Sequence, residues 1–214
     1  MKLSRFVPLA ALAFPVLVHA VESFDQFKTG ALPAPWRFGI TGDGSANWQV
    51  VAADEAASKP QALKFAGGAA YLWAVKSDVR IGDGFVAVKG RALSGKVDQS
   101  IGVIWRFIDE KNYYVVRSNS LEGNVVAYKF ENGPRTMLAV KDKPAGTKGA
   151  NAPVPAGEWH TLRADFKGSL FTFTVNGKQL FQVADSTFAQ GGAVGLWTKA
   201  DSETLYDDFQ FGGN

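Results

Sequence analysis

The residues with the clearest chemical potential lie close together within residues 102–129, GVIWRFIDEKNYYVVRSNSLEGNVVAYK. Here Arg117 is followed by Asn119, Glu122 and Asn124, where the chain turns from one segment into the next. Arginine donates hydrogen bonds, a carboxylate accepts them and an amide does both, which is the set that binds sugar hydroxyls. The alternative is structural: Glu122 neutralises Arg117, and the asparagines cap the turn.

Two further acids in this stretch, Asp109 and Glu110, have a simpler interpretation. They lie in DEKN, which we take as a four-residue hairpin loop. Acidic residues are common there because they are solvated and fit turn geometry. Adjacent residues point in different directions, so these two cannot act as acid and base across one glycosidic bond. We assign both to the turn.

A second candidate set is WTKADSET, in which Lys199 and Asp201 follow Trp197. A tryptophan beside a cation and a carboxylate can border a saccharide site, because sugar C–H faces stack on aromatic rings. We favour the alternative that Trp197 belongs to the core. Lys199 is then a candidate substrate-binding residue, and Asp201 joins Glu122 as a candidate catalytic carboxylate.

Short β-strands must position these residues. Most of the chain alternates between segments rich in β-branched and aromatic residues and turns marked by Gly, Pro, Asn or Asp. Asn176-Gly177 is a strong type I′ turn signal. Only AADEAASKP, residues 52–60, has a helical composition. The pattern predicts an all-β fold, a two-sheet antiparallel β-sandwich formed by one domain over residues 21–214.

The period-two pattern sorts the side chains of the hairpin around DEKN into two faces. With a four-residue loop, Ile104 pairs with Arg117 and Arg106 pairs with Val115. Both arginines and Asn119 then lie on the face away from the core. The predicted core face carries Val103, Trp105, Phe107, Tyr114 and Val116.

Residues 1–20 have the pattern of a secretory signal peptide. Lys2 and Arg5 precede an apolar run too short to span a bilayer, and VHA ends the segment with small residues. We predict cleavage after Ala20, an exported protein of the periplasm or the extracellular space, and no membrane span. Two of the 23 basic residues lie in this segment, which leaves 21 against 20 acidic residues. That balance gives no support for nucleic-acid binding.

Metal and thiol chemistry have little support in the composition. The chain has no cysteine, and His160 is the one histidine after the predicted signal segment, which excludes a multi-histidine metal site. We assign His160 to the core or a strand edge, and we predict no cofactor. A structural calcium ion near Asp25, Asp207 and Asp208 is an alternative, although no loop has a calcium-binding spacing.

Three stretches resemble concanavalin A-like jelly-roll proteins: residues 98–135, residues 155–181 (PAGEWHTLRADFKGSLFTFTVNGKQLF) and residues 191–211 (GGAVGLWTKADSETLYDDFQF). Within that superfamily the chain is most similar to the bacterial 3-keto-disaccharide hydrolase family, which is akin to family-16 glycoside hydrolases. The resemblance covers nearly all of the chain after the signal segment. It implies two curved antiparallel sheets with the saccharide on the concave one, and Arg106 matches the family's strand arginine. The E-x-D-x-E string of family-16 glucanases is missing, so no catalytic acid can be carried over.

We therefore predict an exported, monomeric protein that binds a saccharide on the concave sheet face. The predicted site consists of Arg106, Arg117, Asn119, Glu122, Asn124 and Lys199. The first alternative is a hydrolase of 3-keto-glycosides or related sugars. A keto group acidifies the neighbouring C–H, so cleavage by elimination would need one base, Glu122 or Asp201, and an arginine or metal that polarises the carbonyl, in place of two acids. The second alternative is a non-catalytic envelope interaction module.

Overall fold

The computed structural model describes residues 18–32 and 34–213. This part of the chain forms β-strands joined by turns and loops, which confirms the all-β prediction. Within residues 52–60, Ala52 ends a strand and the others form turns and loops, not a helix. The described residues contain no helix that is long and apolar enough to cross a membrane. The strands are β1 (Val18–Glu22), β2 (Gly30–Ala31), β3 (Trp36–Ser45), β4 (Trp48–Ala52), β5 (Gln61–Phe65), β6 (Gly68–Ile81), β7 (Gly84–Ser94), β8 (Ser100–Asp109), β9 (Asn112–Asn119), β10 (Asn124–Phe130), β11 (Arg135–Met137), β12 (Ala150–Asn151), β13 (His160–Lys167), β14 (Leu170–Val175), β15 (Lys178–Ala184), β16 (Gly192–Ala200) and β17 (Glu203–Gly213).

The strands form two antiparallel sheets, as predicted. A nine-stranded sheet has the order β15-β14-β13-β7-β17-β5-β4-β2, with β1 paired to β17, and an eight-stranded sheet has the order β11-β10-β9-β8-β16-β6-β3, with β12 paired to β10. Asn176 and Gly177 join β14 to β15 with φ values of 49° and 76°, which confirms the type I′ turn. Strand β3 was not predicted, because its sequence WRFGITGDGS is too rich in glycine to give a clear β signal.

Aromatic rings fill the space between the sheets. Trp105 stacks on Tyr114 at 5.3 Å between ring centroids, and its ring also contacts Phe171 at 5.2 Å and Phe173 at 5.6 Å. All four side chains are buried. The predicted core positions of Trp105 and Tyr114 are therefore confirmed, and rings from both sheets interdigitate around them.

The β8–β9 hairpin forms. Up to Trp105 its register differs from the prediction by two residues, whereas the pairing beside the turn keeps the predicted register. Ile104 pairs with Val115 and not with Arg117, and Asp109 pairs with Asn112, so the loop has two residues and not four. The predicted pairings were wrong. Because the shift is an even number of residues, the side chains of β8 up to the irregularity keep their predicted faces.

The irregularity is a β-bulge at Arg106, whose φ of 49° lies in the left-handed region. The bulge reverses the alternation of side chains after it. The guanidinium of Arg106 lies over the core ring of Phe171 at 5.4 Å. Phe107 leaves the predicted core face and packs instead against Trp73 and Tyr113, at 5.0 Å and 5.5 Å between ring centroids.

The acids of the hairpin turn have the structural role that we predicted. Asp109 Oδ1 accepts hydrogen bonds from the backbone N–H of Lys111 at 2.8 Å and from Asn112 Nδ2 at 2.9 Å. The backbone carbonyl of Glu110 accepts a hydrogen bond from the Thr41 hydroxyl at 2.5 Å. The carboxylate of Asp109 therefore organises the turn, and Glu110 contributes its backbone carbonyl.

The carboxylates considered for calcium have protein partners. Asp207 is buried and accepts hydrogen bonds from the backbone N–H and the hydroxyl of Ser58, at 2.7 Å and 3.0 Å. Asp208 pairs with Lys89 at 2.7 Å, and Asp25 accepts from the backbone N–H of Gln61 at 2.9 Å. Within residues 18–32 and 34–213, no group of three or more His, Cys, Asp or Glu side chains could hold a metal ion.

Most of the predicted signal segment lies outside the described residues. Its last three residues begin β1, which pairs with the C-terminal half of β17. Glu22, in the same strand, accepts hydrogen bonds from the Trp36 indole at 2.5 Å and from Lys76 at 3.0 Å. Cleavage after Ala20 would leave Glu22 and these two contacts in place.

The buried histidine His160 should make the fold sensitive to acid. It is 3% exposed and shares a hydrogen bond of 2.7 Å with Ser118, which joins β13 to β9 across the two sheets. Burial lowers the pKa of His160 to about 4, against about 6.5 in an unfolded chain. As the pH falls between these values the unfolded chain takes up a proton first, so the free energy of unfolding should drop by about 3 kcal/mol.

Urea denaturation of the wild type and His160→Gln at several pH values tests this expectation. Because other groups titrate in the same range, the useful quantity is the difference in unfolding free energy between the two proteins. The free energy of unfolding of the wild type minus that of His160→Gln should decrease between neutral pH and pH 4. A difference that is independent of pH contradicts the prediction.

Candidate functional site

Four of the predicted site residues come together around Arg117, which is 3% exposed. Its Nη1 donates to Asn124 Oδ1 at 2.6 Å and its Nη2 donates to Glu122 Oε2 at 2.9 Å. Asn124 Nδ2 and Asn119 Nδ2 also donate to Glu122, at 3.0 Å and 3.1 Å. Strand β9 positions Arg117 and Asn119, and β10 begins at Asn124, so the turn between them presents Glu122 to both strands.

Asp98 also supports this network. It is a buried carboxylate that the sequence did not lead us to assign to the site. It is 1% exposed and accepts hydrogen bonds from Asn119 Nδ2 at 3.1 Å and from the hydroxyl of Ser100. It also forms an ion pair with Lys199 Nζ at 2.7 Å. Asp98 therefore links β16 to β9 and brings the predicted residue Lys199 to the network.

The network lines a cavity of about 410 Å³. Several of the residues that line it were not predicted from the sequence. Tyr128 shares strand parity with Asn124 on β10, which the period-two pattern could have shown. Arg135 lies on β11 and Lys148 lies in the loop before β12. No local sequence pattern predicts that these two segments reach the cavity. The walls are Arg117, Glu122, Val126, Tyr128, Arg135, Met137, Lys148 and Lys199.

The face of the eight-stranded sheet that bears the cavity is concave. Tyr71 of β6 and Phe130 of β10 are four strands apart, which is about 19 Å in a flat sheet, yet their ring centroids are 4.9 Å apart. The hydroxyl groups of Thr41 on β3 and Tyr113 on β9 meet in the same way, at 3.1 Å. Side chains of distant strands can meet above the sheet only because it curves toward them.

An aromatic cluster covers the central strands of this concave face. Tyr113 stacks on Phe130 at 4.5 Å, and Tyr71 stacks on Trp197 at 5.8 Å. Trp197 is buried, as we predicted, but it belongs to this cluster and not to the core between the sheets. We use the name aromatic cluster for Tyr71, Trp73, Phe107, Tyr113, Phe130 and Trp197.

The structure does not bring Arg106 to the site. Its guanidinium donates to the backbone carbonyls of Gly82 at 3.1 Å, Phe188 at 2.8 Å and Gly168 at 2.7 Å, and pairs with Asp83 at 3.3 Å. The bulge in β8 turns the side chain away from the concave face, so its predicted place beside Arg117 was wrong. Arg106 instead ties three loops together at one end of the sandwich.

Asp201, the other predicted carboxylate, organises a loop. It accepts hydrogen bonds from the backbone N–H groups of Lys96 at 2.7 Å, Val97 at 3.0 Å and Asp98 at 3.0 Å. These bonds, with that of Lys96 the largest contribution, lower the pKa of Asp201. A carboxylate that is ionised and already engaged by three donors is a poor general base. Asp201 acts by positioning the loop that carries Asp98.

Glu122 is ionised in the folded protein. Partial burial favours its neutral form, but the hydrogen bond and charge of Arg117, with contributions from Asn124 and Lys199, outweigh burial and lower the pKa of Glu122. Among the described residues that line the cavity, Glu122 is the one carboxylate. Hydrolysis by two acids needs a pair of carboxyl groups on either side of the bond, and this cavity does not present one.

Gly149 allows the loop that carries Lys148 to lie against β10. Its φ is 57°, and a Cβ at this position would lie 1.9 Å from the carbonyl oxygen of Val125. We expect Gly149→Ala to push β12 away from β10 and to abolish hydrogen-exchange protection of residues 150–151. Gly146→Ala is the matched control, because Gly146 has a φ of 82° in the same loop and nothing within 4 Å of its Cβ position.

Both substitutions place an alanine at positive φ, which costs about 1–2 kcal/mol of local backbone strain, so only the collision differs between them. Equal loss of protection in the two variants would show that the collision at Gly149 does not hold the loop in place.

Comparisons with known proteins identify the fold. A scan against protein-family models finds no match, and a search of curated protein sequences finds none either. Solved structures do match. The carbohydrate binding module CBM66 from Bacillus subtilis has a TM-score of 0.62 and 16% sequence identity, covering 79% of this chain and 96% of that chain. The cellulose induced protein Cip1 has a TM-score of 0.65 and 13% identity, covering 90% and 96%. The laminarinase from Rhodothermus marinus has a TM-score of 0.59 and 10% identity, covering 93% and 99%.

At these levels of identity the likeness concerns the fold alone. The chain has the concanavalin A-like jelly-roll fold, as its motifs indicated. The narrower resemblance to 3-keto-disaccharide hydrolases has no match among these structures and stays a prediction.

Proposed function

We propose that the protein binds a saccharide in the cavity beside Arg117. The observation that carries this proposal is the rigid network in which Arg117, Glu122 and Asn124 are fixed by hydrogen bonds of 2.6–3.0 Å at the wall of a cavity of about 410 Å³. Such a cavity has the size of small-molecule sites, and basic side chains, a carboxylate and a tyrosine line it. Two of the structurally similar proteins support the ligand class, since they are named as a carbohydrate binding module and a laminarinase.

The aromatic cluster limits where the saccharide can lie. Tyr113, Phe130 and Trp197 are 0% exposed, so the concave face is filled by the protein's own side chains over the central strands. A polysaccharide therefore has no continuous groove over those strands. We infer that the ligand enters the cavity as a short saccharide or as the end of a chain.

Binding fits the site better than catalysis. The hydrolase alternative would use Glu122 or Asp201 as a general base, and both have a lowered pKa and several hydrogen-bond donors around them. A carboxylate that is stabilised in its charged form is a weaker base. Incubation with natural and 3-keto disaccharides separates the alternatives, because turnover would establish a hydrolase and a shift in melting temperature without turnover would support binding.

Calorimetric titration of Arg117→Gln against saccharides that bind the wild type tests the site. Loss of charge-assisted hydrogen bonds should weaken binding by about 10- to 100-fold. The control is Arg163→Gln, because Arg163 pairs with Asp165 on the nine-stranded sheet and both are partly exposed. Unchanged binding by Arg117→Gln would exclude this cavity, and the absence of saccharide binding by the wild type would favour an interaction module.

We also propose that the protein is exported and that residues 1–20 direct its export. The sequence pattern of that segment supports this. N-terminal sequencing of the processed protein should give Val21 as its first residue; an unprocessed chain in the cytoplasm would contradict the proposal.

A further inference from the structure

The cavity beside Arg117 has an unusual concentration of positive charge. Half of its eight lining residues are basic, whereas Glu122 is the one acid among them. The whole chain, in contrast, is close to balanced, with 23 basic and 20 acidic residues. The excess is therefore local to this cavity. The basic residues are Arg117, Arg135, Lys148 and Lys199.

Two of these four charges are already compensated within the protein. Arg117 pairs with Glu122 at 2.9 Å and Lys199 pairs with the buried Asp98 at 2.7 Å. Arg135 and Lys148 form no ion pair with any residue that the structure describes. Two positive charges consequently face the cavity without a protein counter-charge.

Arg135 is held in place without being neutralised. Its guanidinium lies over the rings of Tyr71 at 4.9 Å and Tyr128 at 4.4 Å, which orients the cation but removes none of its charge. Within residues 18–32 and 34–213, neither Nη1 of Arg135 nor Nε of Arg117 has a hydrogen-bond partner, although both atoms are buried. Buried N–H donors are rarely left without an acceptor.

The cavity also has more hydrogen-bond donors than free acceptors. A neutral sugar hydroxyl both donates and accepts, so a site for it needs acceptors as well as donors. The main acceptor here is Glu122, and its two oxygens already accept from Arg117, Asn119 and Asn124. A carboxylate or sulfate group only accepts, and its oxygens match the forked N–H groups of a guanidinium.

We infer that the saccharide bound in this cavity is acidic and carries a carboxylate or sulfate group that Arg135 and Lys148 recognise. This inference rests on the proposed saccharide-binding function and names the class of its ligand. Because the guanidinium of Arg135 already has a fixed position over the two rings, the acidic group would supply the missing counter-charge to Arg135 and Lys148.

Calorimetric titration of the full chain against matched pairs of oligosaccharides tests the inference. One pair is oligogalacturonate and the same oligomer after its carboxylates are reduced to alcohols; the other is a sulfated galactan oligomer and its desulfated form. The acidic member of at least one pair should bind about tenfold or more tightly than its neutral partner. The pair that shows the preference distinguishes a carboxylate from a sulfate.

Variants then assign the preference to the proposed residues. The double variant Arg135→Gln/Lys148→Gln should remove most of the preference, so that it binds the acidic and the neutral oligomer with affinities within about twofold of each other. Lys167→Gln/Lys178→Gln is the control for loss of two charges, because both lysines are exposed on strands of the other sheet. An equal effect of Lys167→Gln/Lys178→Gln would show unspecific attraction and overturn the inference.

The outcomes also separate this inference from the proposed function. Equal or tighter binding of the neutral oligomers overturns the acidic ligand and leaves saccharide binding intact. If no saccharide of either kind binds, both fail. Binding of acidic peptides or nucleic acids that depends on Arg135 and Lys148, without binding of acidic oligosaccharides, overturns the inference as well.

Discussion

Arg106→Met should lower the free energy of unfolding by about 3–5 kcal/mol, because it removes a buried charge and leaves its acceptors unpaired. Arg106 is 1% exposed, and its guanidinium donates to the carbonyls of Gly82, Gly168 and Phe188. These carbonyls belong to three separate loops at one end of the sandwich, so a single side chain holds the loops together. Urea denaturation followed by tryptophan fluorescence measures the effect.

Arg37→Met is the control for this substitution, because Arg37 is an exposed arginine of the edge strand β3. It should change stability by no more than about 0.5 kcal/mol. Arg106→Lys should fall between the two, since an ammonium group keeps the charge but cannot reach all of the carbonyls at once. If Arg106→Met does not accumulate as folded protein, the intermediate stability of Arg106→Lys still tests the expectation; a loss below about 1 kcal/mol in both would contradict it.

Asp98→Ala should have a comparable effect on stability and should also abolish binding in the cavity. Removing one partner of a buried ion pair costs about 3–5 kcal/mol. Here the loss would leave Lys199, Asn119 and Ser100 without the carboxylate that they share. Because Asn119 also donates to Glu122, the rearrangement would reach the wall of the cavity. Parallel urea denaturation and saccharide titration measure the two effects.

The matched control is Asp165→Ala. The Asp165 side chain is 41% exposed and pairs with Arg163 on the nine-stranded sheet, so its loss should cost less than about 1 kcal/mol. If Asp98→Ala were as mild as Asp165→Ala, the proposed support of the site by a buried carboxylate would be incorrect.

The fold was predictable because its signals are local. Strands β8, β9, β13 and β14 alternate apolar and polar residues or carry β-branched and aromatic runs, and Asn176-Gly177 specifies its own turn. The register of the β8–β9 hairpin was not predictable in the same way. It depends on the left-handed backbone conformation of Arg106, and arginine rarely adopts this conformation, so its presence does not predict one.

The difference between local sequence signals and long-range packing also explains which residues of the site could be predicted. Arg117, Asn119, Glu122 and Asn124 lie within eight positions of one strand–turn–strand unit, so their proximity follows from the hairpin itself. Asp98, Arg135 and Lys148 reach the site from other segments. Their places depend on strand order and on close packing of a loop against β10, which one sequence does not encode in any short pattern.

The curvature of the eight-stranded sheet also affects the expected association and dissociation rates of a ligand. Contacts such as Tyr71 with Phe130 and Thr41 with Tyr113 join opposite strands above the concave face and hold its shape before anything binds. A site formed in advance spares the ligand the entropic cost of ordering its walls. Substitutions around the cavity that leave its charge unchanged should then act mainly on the dissociation rate, whereas loss of Arg135 or Lys148 should also slow association of an acidic ligand.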